Sequence, residues 1–201
     1  LEKAMYIDEK ILGETDSQTA RSYSNLAVAL EKSGDNKGAK ILLEKAVKSD
    51  EINFGRTHVR TAIKYSNLAQ VLQKLGSYKD AKTLLEKSMQ IVESYFGKEH
   101  THTARSYSNL ALLLNYLEEH KEAKILMEKA IKIEEINLEE NHPTLAISYS
   151  NLALVLEELG DFKGAKTLLE KAVKLDELNF GKEHPYTAKR YSNFALVLLK
   201  L

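Results

Sequence analysis

Apolar side chains along this chain fall on a helical period that is broken and restarted at regular intervals. Tyr23, Leu26, Ala27 and Leu30 occupy i, i+3, i+4 and i+7, one face of an α-helix, here called helix A. After the turn at Gly34-Asp35, Ala39, Leu42, Leu43, Ala46 and Val47 form a second stripe, helix B, which Gly55 ends. The opposite face of helix B carries Lys37, Lys40, Glu44, Lys48 and Glu51, spaced in part for i,i+4 ion pairs and expected to face water. The whole phrase then returns every 42 residues: Tyr23-Ser24-Asn25 reappears at Tyr65, Tyr107, Tyr149 and Tyr191. A fixed period of this size predicts two-helix units stacked into an all-α solenoid, in which each unit buries its stripes against its neighbours.

Small residues recur where helices must approach closely, at Ala27, Ala69, Ala111, Ala153 and Ala195 on helix A and at Ala39, Ala81, Ala123 and Ala165 on helix B. Leu43, Leu85, Met127 and Leu169 are expected to fill the space between layers, and the recurring tyrosines to be core aromatics whose hydroxyl reaches the edge. Counting by the period gives a single solenoid over 1–201, with a partial helix B at 1–13. Four A–B pairs follow near 16–55, 58–97, 100–139 and 142–181, and an unpaired helix A fills 184–201. Leu1 stands mid-repeat, so the chain is expected to be a piece of something longer. Ala4, Ile7 and Ile11 at one end and Leu198, Leu199 and Leu201 at the other lack a polar capping helix, which predicts self-association head to tail.

Composition narrows the function classes. The 29 basic and 29 acidic residues cancel, without the basic excess that phosphate neutralisation needs, so nucleic acid is not an expected partner. No apolar run reaches the ~18 residues of a membrane span. The chain has no cysteine, which excludes disulfides and thiolate zinc sites and is compatible with the cytoplasm as its compartment. His58, His100, His142 and His184 come one per repeat, ~10 Å apart on adjacent helices, too far to share an ion, and read as turn or cap residues. The segment from Gly160 to Thr167 has the wrong glycine spacing for a phosphate loop, and no base accompanies the recurring serines. The sequence therefore predicts no enzyme, metal or cofactor.

The pattern Y-x-N-L-A-x-x-L, then G-D, then A-x-x-x-L-x-x-A resembles the tetratricopeptide repeat, with a period about eight residues longer than the usual ~34. The junctions Gly97-Lys98-Glu99-His100 through Ala104 and Gly181-Lys182-Glu183-His184-Pro185 through Ala188 resemble the G-x-x-H-P-x-x-A junction of the kinesin light chain subclass. Asp16, Val59, Thr101 and Glu139 depart from it. The resemblance implies a right-handed α-solenoid whose concave side is lined by helix A. It also places Asn25, Asn67, Asn109, Asn151 and Asn193 at the family position that holds a ligand's peptide backbone. An amide suits that task, since it offers a donor and an acceptor together. An alternative is that each Asn braces its own repeat, because Asn is a mediocre mid-helix residue that needs some reason to recur.

Around this ladder Arg21, Arg105 and Lys189 share one groove position with Ile63 and Ile147. Val28, Gln70, Leu112, Leu154 and Leu196 lie a turn further on, and Glu31, Gln73, Asn115 and Glu157 come next. The mixture suits a peptide with acidic and bulky apolar residues. The expected function is a protein- or peptide-binding scaffold. The alternative is a sensor or oligomerisation arm of a larger signalling ATPase or effector protein, working through whole-domain contacts.

Overall fold

The computed structural model describes residues 1–201, and the chain is all-α. The B-type helices are α1 (Glu2–Leu12), α3 (Asn36–Phe54), α5 (Tyr78–Phe96), α7 (His120–Asn137) and α9 (Phe162–Phe180). The A-type helices that alternate with them are α2 (Ser17–Ser33), α4 (Val59–Lys74), α6 (Thr101–Tyr116), α8 (Pro143–Glu158) and α10 (Pro185–Leu198). The chain divides into two compact units, Leu1–Tyr95 and Phe96–Leu201. In the first, α1 packs on α2, α2 on α3 and α3 on α4. In the second, α6 to α10 pack in sequence and α6 also touches α8.

Local chemistry sets where each helix begins. His58, His100, His142 and His184 are N-caps: each Nδ1 accepts a hydrogen bond from the backbone N–H two residues on, at 3.1 to 3.2 Å. Asp16 does the same work through its carboxylate at 2.7 Å, which explains why a carboxylate can replace the imidazole there. Two B helices start differently, with the carboxylates of Asp35 and Asp161 accepting from Gly38 and Gly164 at 2.9 Å. A Cβ on either glycine would stand 2.4 or 2.5 Å from that carboxylate, so the tight cap requires glycine three residues later. In the other two turns the same two positions change together, to Ser77 with Asp80 and to Glu119 with Glu122.

The A–B turn needs one residue in the left-handed region. Gly34, Gly76 and Gly160 supply it, whereas Glu118, with φ 64°, is the one non-glycine residue of the chain at positive φ. The core follows the predicted columns. Ala27, Ala69, Ala111, Ala153, Ala39, Ala81, Ala123 and Ala165 are fully buried, and Leu43, Leu85, Met127 and Leu169 are at most 4% exposed. Burying each of these larger side chains contributes about 1.5–3 kcal/mol over leaving it in water. Ala195, on α10, is exposed.

Candidate functional site

Four of the recurring tyrosines, Tyr23, Tyr65, Tyr107 and Tyr149, are buried rings, and Tyr191 on the last helix is exposed. Tyr23, Tyr65 and Tyr149 donate their hydroxyls to Glu9, Glu51 and Glu135 on the preceding B helix, at 2.9, 2.6 and 2.8 Å, and Tyr191 donates to Glu177. Over the faces of Tyr23, Tyr107 and Tyr149 lie the ammonium groups of Lys45, Lys129 and Lys171, 5.2 to 5.8 Å from the ring centres. Burial and the carboxylate acceptor push the phenols of Tyr23, Tyr65 and Tyr149 up to about 12. Glu51 is therefore not part of the solvated face that the helix-B charge pattern suggested. Its carboxylate holds Tyr65 and also pairs with Arg56 at 3.3 Å.

Asparagine braces do exist, on helix B. Asn53, Asn137 and Asn179 each donate to a carbonyl in the junction 38 residues earlier and to their own helix. Thr61, Thr103 and Thr187 donate to the carbonyls of Gly55, Gly97 and Gly181 at 2.7 to 2.8 Å, closing the junction before each A helix. In the one junction where glycine becomes Glu139, the threonine becomes Leu145. Phe54, Phe96 and Phe180 stack on His58, His100 and His184, with ring centres 4.6 to 5.2 Å apart. The histidines are thus committed to caps and stacking, as their spacing suggested. No cluster of three or more metal-ligating side chains is formed.

The helix-A asparagines behave differently. Asn25 is exposed, Asn67, Asn109, Asn151 and Asn193 are half-buried, and none of their side chains makes a hydrogen bond within the chain. Beside them Arg21, Arg105 and Lys189 are exposed and form no ion pair. Gln70 is exposed as well. In the second unit Leu112, Leu154 and Leu196 stand 41, 43 and 58% exposed and Ile147 is exposed too, and in the first unit Val28 and Ile63 are exposed, so the A helices of each unit present apolar side chains to solvent. The row after it is occupied otherwise: Glu31 pairs with Lys74 at 2.7 Å, Glu157 with Lys200 at 3.0 Å, and Asn115 bonds His120 at 2.8 Å. Glu31, Asn115 and Glu157 are tied up in the fold and do not belong to a free surface.

One more column links each B helix to the A helix 14 residues on. Asp176 and Arg190, 3% and 12% exposed, pair at 2.8 Å. In the first unit Lys64 answers the buried Asp50 and donates to Ser24 at 2.7 Å. Burial pushes the Asp50 carboxyl up and the Lys64 ammonium down. Sequence reasoning missed this column and the tyrosine–glutamate column. Both were visible as paired recurrences at a constant offset, most clearly in Glu9, Glu51, Glu93, Glu135 and Glu177.

A model of the tetratricopeptide repeat matches residues 60–136 and 144–201, and a second model of that repeat matches residues 19–60. The chain belongs to the tetratricopeptide repeat family. Among solved structures this repeat protein is similar to a Podosopora anserina protein described as a kinesin light chain with nearly identical TPR-like repeats. One crystal structure of it is 25% identical with a TM-score of 0.81, covering 92% of this chain and 88% of that one. A second crystal structure, of a substituted form of the same protein, is also 25% identical, with a TM-score of 0.79 and coverage of 90% and 85%. BtubC (BKLC) from P. vanneervenii is again 25% identical, with a TM-score of 0.75 over 85% of this chain and 68% of that one. No curated protein sequence matches. The tetratricopeptide-type solenoid and the kinesin light chain-like character expected from the junctions both hold. No helix is long and apolar enough to cross a membrane.

Proposed function

We propose that this protein is a non-enzymatic scaffold whose helix-A face holds an extended peptide segment of a protein partner. The observation that carries the reading is the contrast in how recurring polar side chains are used. The tyrosines, the cap histidines and the helix-B asparagines are engaged inside the fold, whereas the helix-A asparagines keep both donor and acceptor uncommitted. A mid-helix residue of mediocre propensity that braces nothing fits a role toward a ligand backbone.

In the second unit, Asn109, Asn151 and Asn193 lie on consecutive A helices. Helices of one layer stand ~10 Å apart and an extended chain advances ~3.3 Å per residue, so successive asparagines meet every third ligand residue. Each bond contributes about 0.5–1.5 kcal/mol net, so the ladder positions a ligand and its neighbours select it. Arg21, Arg105 and Lys189 favour acidic side chains, and Gln70 with exposed Leu112 and Leu154 suits bulky apolar ones.

The test is selection from a random peptide display library on this chain, with Asn109→Ala/Asn151→Ala as the control. Peptides enriched by the native protein should be lost by the double variant while its melting temperature stays within about 2 °C of the native value. Retained binding, or a large loss of stability, would overturn the reading. If no peptide is enriched, the protein is better read as a sensor or oligomerisation arm of a larger signalling ATPase or effector that docks whole domains.

A further inference from the structure

The column 14 residues before each A-helix partner carries an acid on four of the five B helices, with Val92 the exception on α5, and the neutralisation of these acids differs between positions. Asp176 is paired by Arg190, and Asp50 is answered by Lys64, whose ammonium donates to Ser24. Asp8 receives the hydroxyl of Ser22 at 2.5 Å and the amide of Gln18 at 3.2 Å, and remains half in water. The remaining acid of the column, Glu134 on α7, has no cation opposite it on α8. It is 5% exposed, and its Oε2 is buried without a hydrogen-bond partner.

The repeat register shows what surrounds it. Two periods beyond Asp50, Lys64 and Ser24 stand Glu134, Ser148 and Ser108, on α7, α8 and α6. Ser148 lies against the Glu134 carboxyl but carries no charge. The hydroxyl of Ser108, counterpart of the group that accepts from Lys64, is likewise buried without a partner. By register, these two unpaired atoms stand where Ser24 and Asp50 stand about the Lys64 ammonium of the first unit, which bonds Ser24 at 2.7 Å and acts on Asp50 through space.

We infer that Glu134, Ser148 and Ser108 form a binding site for one primary ammonium group, supplied either by a small amine or by the lysine side chain of a protein ligand. An ammonium has three donors and a full charge, enough to satisfy one carboxylate oxygen and two hydroxyls at once. A quaternary ammonium has no donor to offer. Without an amine, burial pushes the Glu134 carboxyl up, with the Ser148 hydroxyl and His142 at the start of α8 pulling it partly back. Tyr149, whose hydroxyl is held by Glu135, completes the surroundings.

Thermal unfolding of the whole chain at fixed ionic strength tests this. Methylammonium chloride should raise Tm by about 2–4 °C over equal tetramethylammonium or sodium chloride, saturably. The difference should vanish in Glu134→Gln, which removes the charge, and in Ser148→Lys, which supplies an ammonium from α8 and should itself raise Tm without amine. Nα-acetyl-lysine amide separates the two sources. If it acts like methylammonium, the site takes a ligand's lysine, and if only methylammonium acts, it takes free amines. Equal shifts with all three salts, or an amine-specific shift that survives in Glu134→Gln, would overturn the site. The site does not depend on the helix-A face, so peptide selection and this experiment can fail separately.

Discussion

Tyr149 shows how much one hydroxyl can do in a repeat that must join its neighbour. Its ring is buried, Lys171 covers one face, and its hydroxyl donates to Glu135 at 2.8 Å. Tyr149→Phe keeps the ring and deletes the bond to a charged acceptor, so it should lower unfolding stability by about 1.5–3 kcal/mol, readable in denaturant titration. Glu134 gives a pH test of the opposite kind. Its folded-state pKa lies above 4.5, so its stabilising contribution is complete below that pH and is lost as pH rises through the raised value. Relative to Glu134→Gln, the native protein should therefore lose stability between acid and neutral pH. A constant difference across that range would contradict the burial argument. The sequence revealed the tyrosines as core residues because their column coincides with the apolar stripe. It did not reveal Glu51 or Glu135 as their acceptors, because a glutamate on a charged helix face looks solvated until the partner helix is in place.

Helix starts and turns were the most legible elements. Histidine, aspartate, proline and glycine act through their immediate backbone, so His142 before Pro143 and Gly160 before Asp161 could be placed without tertiary information. In the turn from Asn115 to His120, Glu118 takes the left-handed conformation that glycine takes in the other three turns. Glu118→Gly should accordingly stabilise the second unit by about 0.5–1 kcal/mol, less than the relief of strain alone because glycine also loosens the unfolded chain. A fall in Tm would show that the Glu118 side chain makes compensating contacts. Less legible was the pairing of distant columns, such as Asn137 with the carbonyl of Glu99, since the offset of 38 residues links a B helix to a junction that only stacking brings beside it.

At the scale of the molecule, strict recurrence separates what the fold uses from what it leaves over. Alanine, leucine, tyrosine, histidine and helix-B asparagine recur and are committed to packing, caps or braces. The helix-A asparagines recur without such a commitment, beside neighbours that vary from Arg21 to Ile63 and from Gln70 to Leu112. A constant backbone-reading element with variable neighbours is what a scaffold for extended segments requires. The most direct measurement is two-dimensional NMR of the asparagine side-chain amides while a selected peptide is titrated in. The account predicts that the NH2 signals of Asn109 and Asn151 move together and saturate, while those of Asn137 and Asn179, which are bonded inside the fold, stay in place. Shifts confined to Asn137 and Asn179, with Asn109 and Asn151 unmoved, would contradict it.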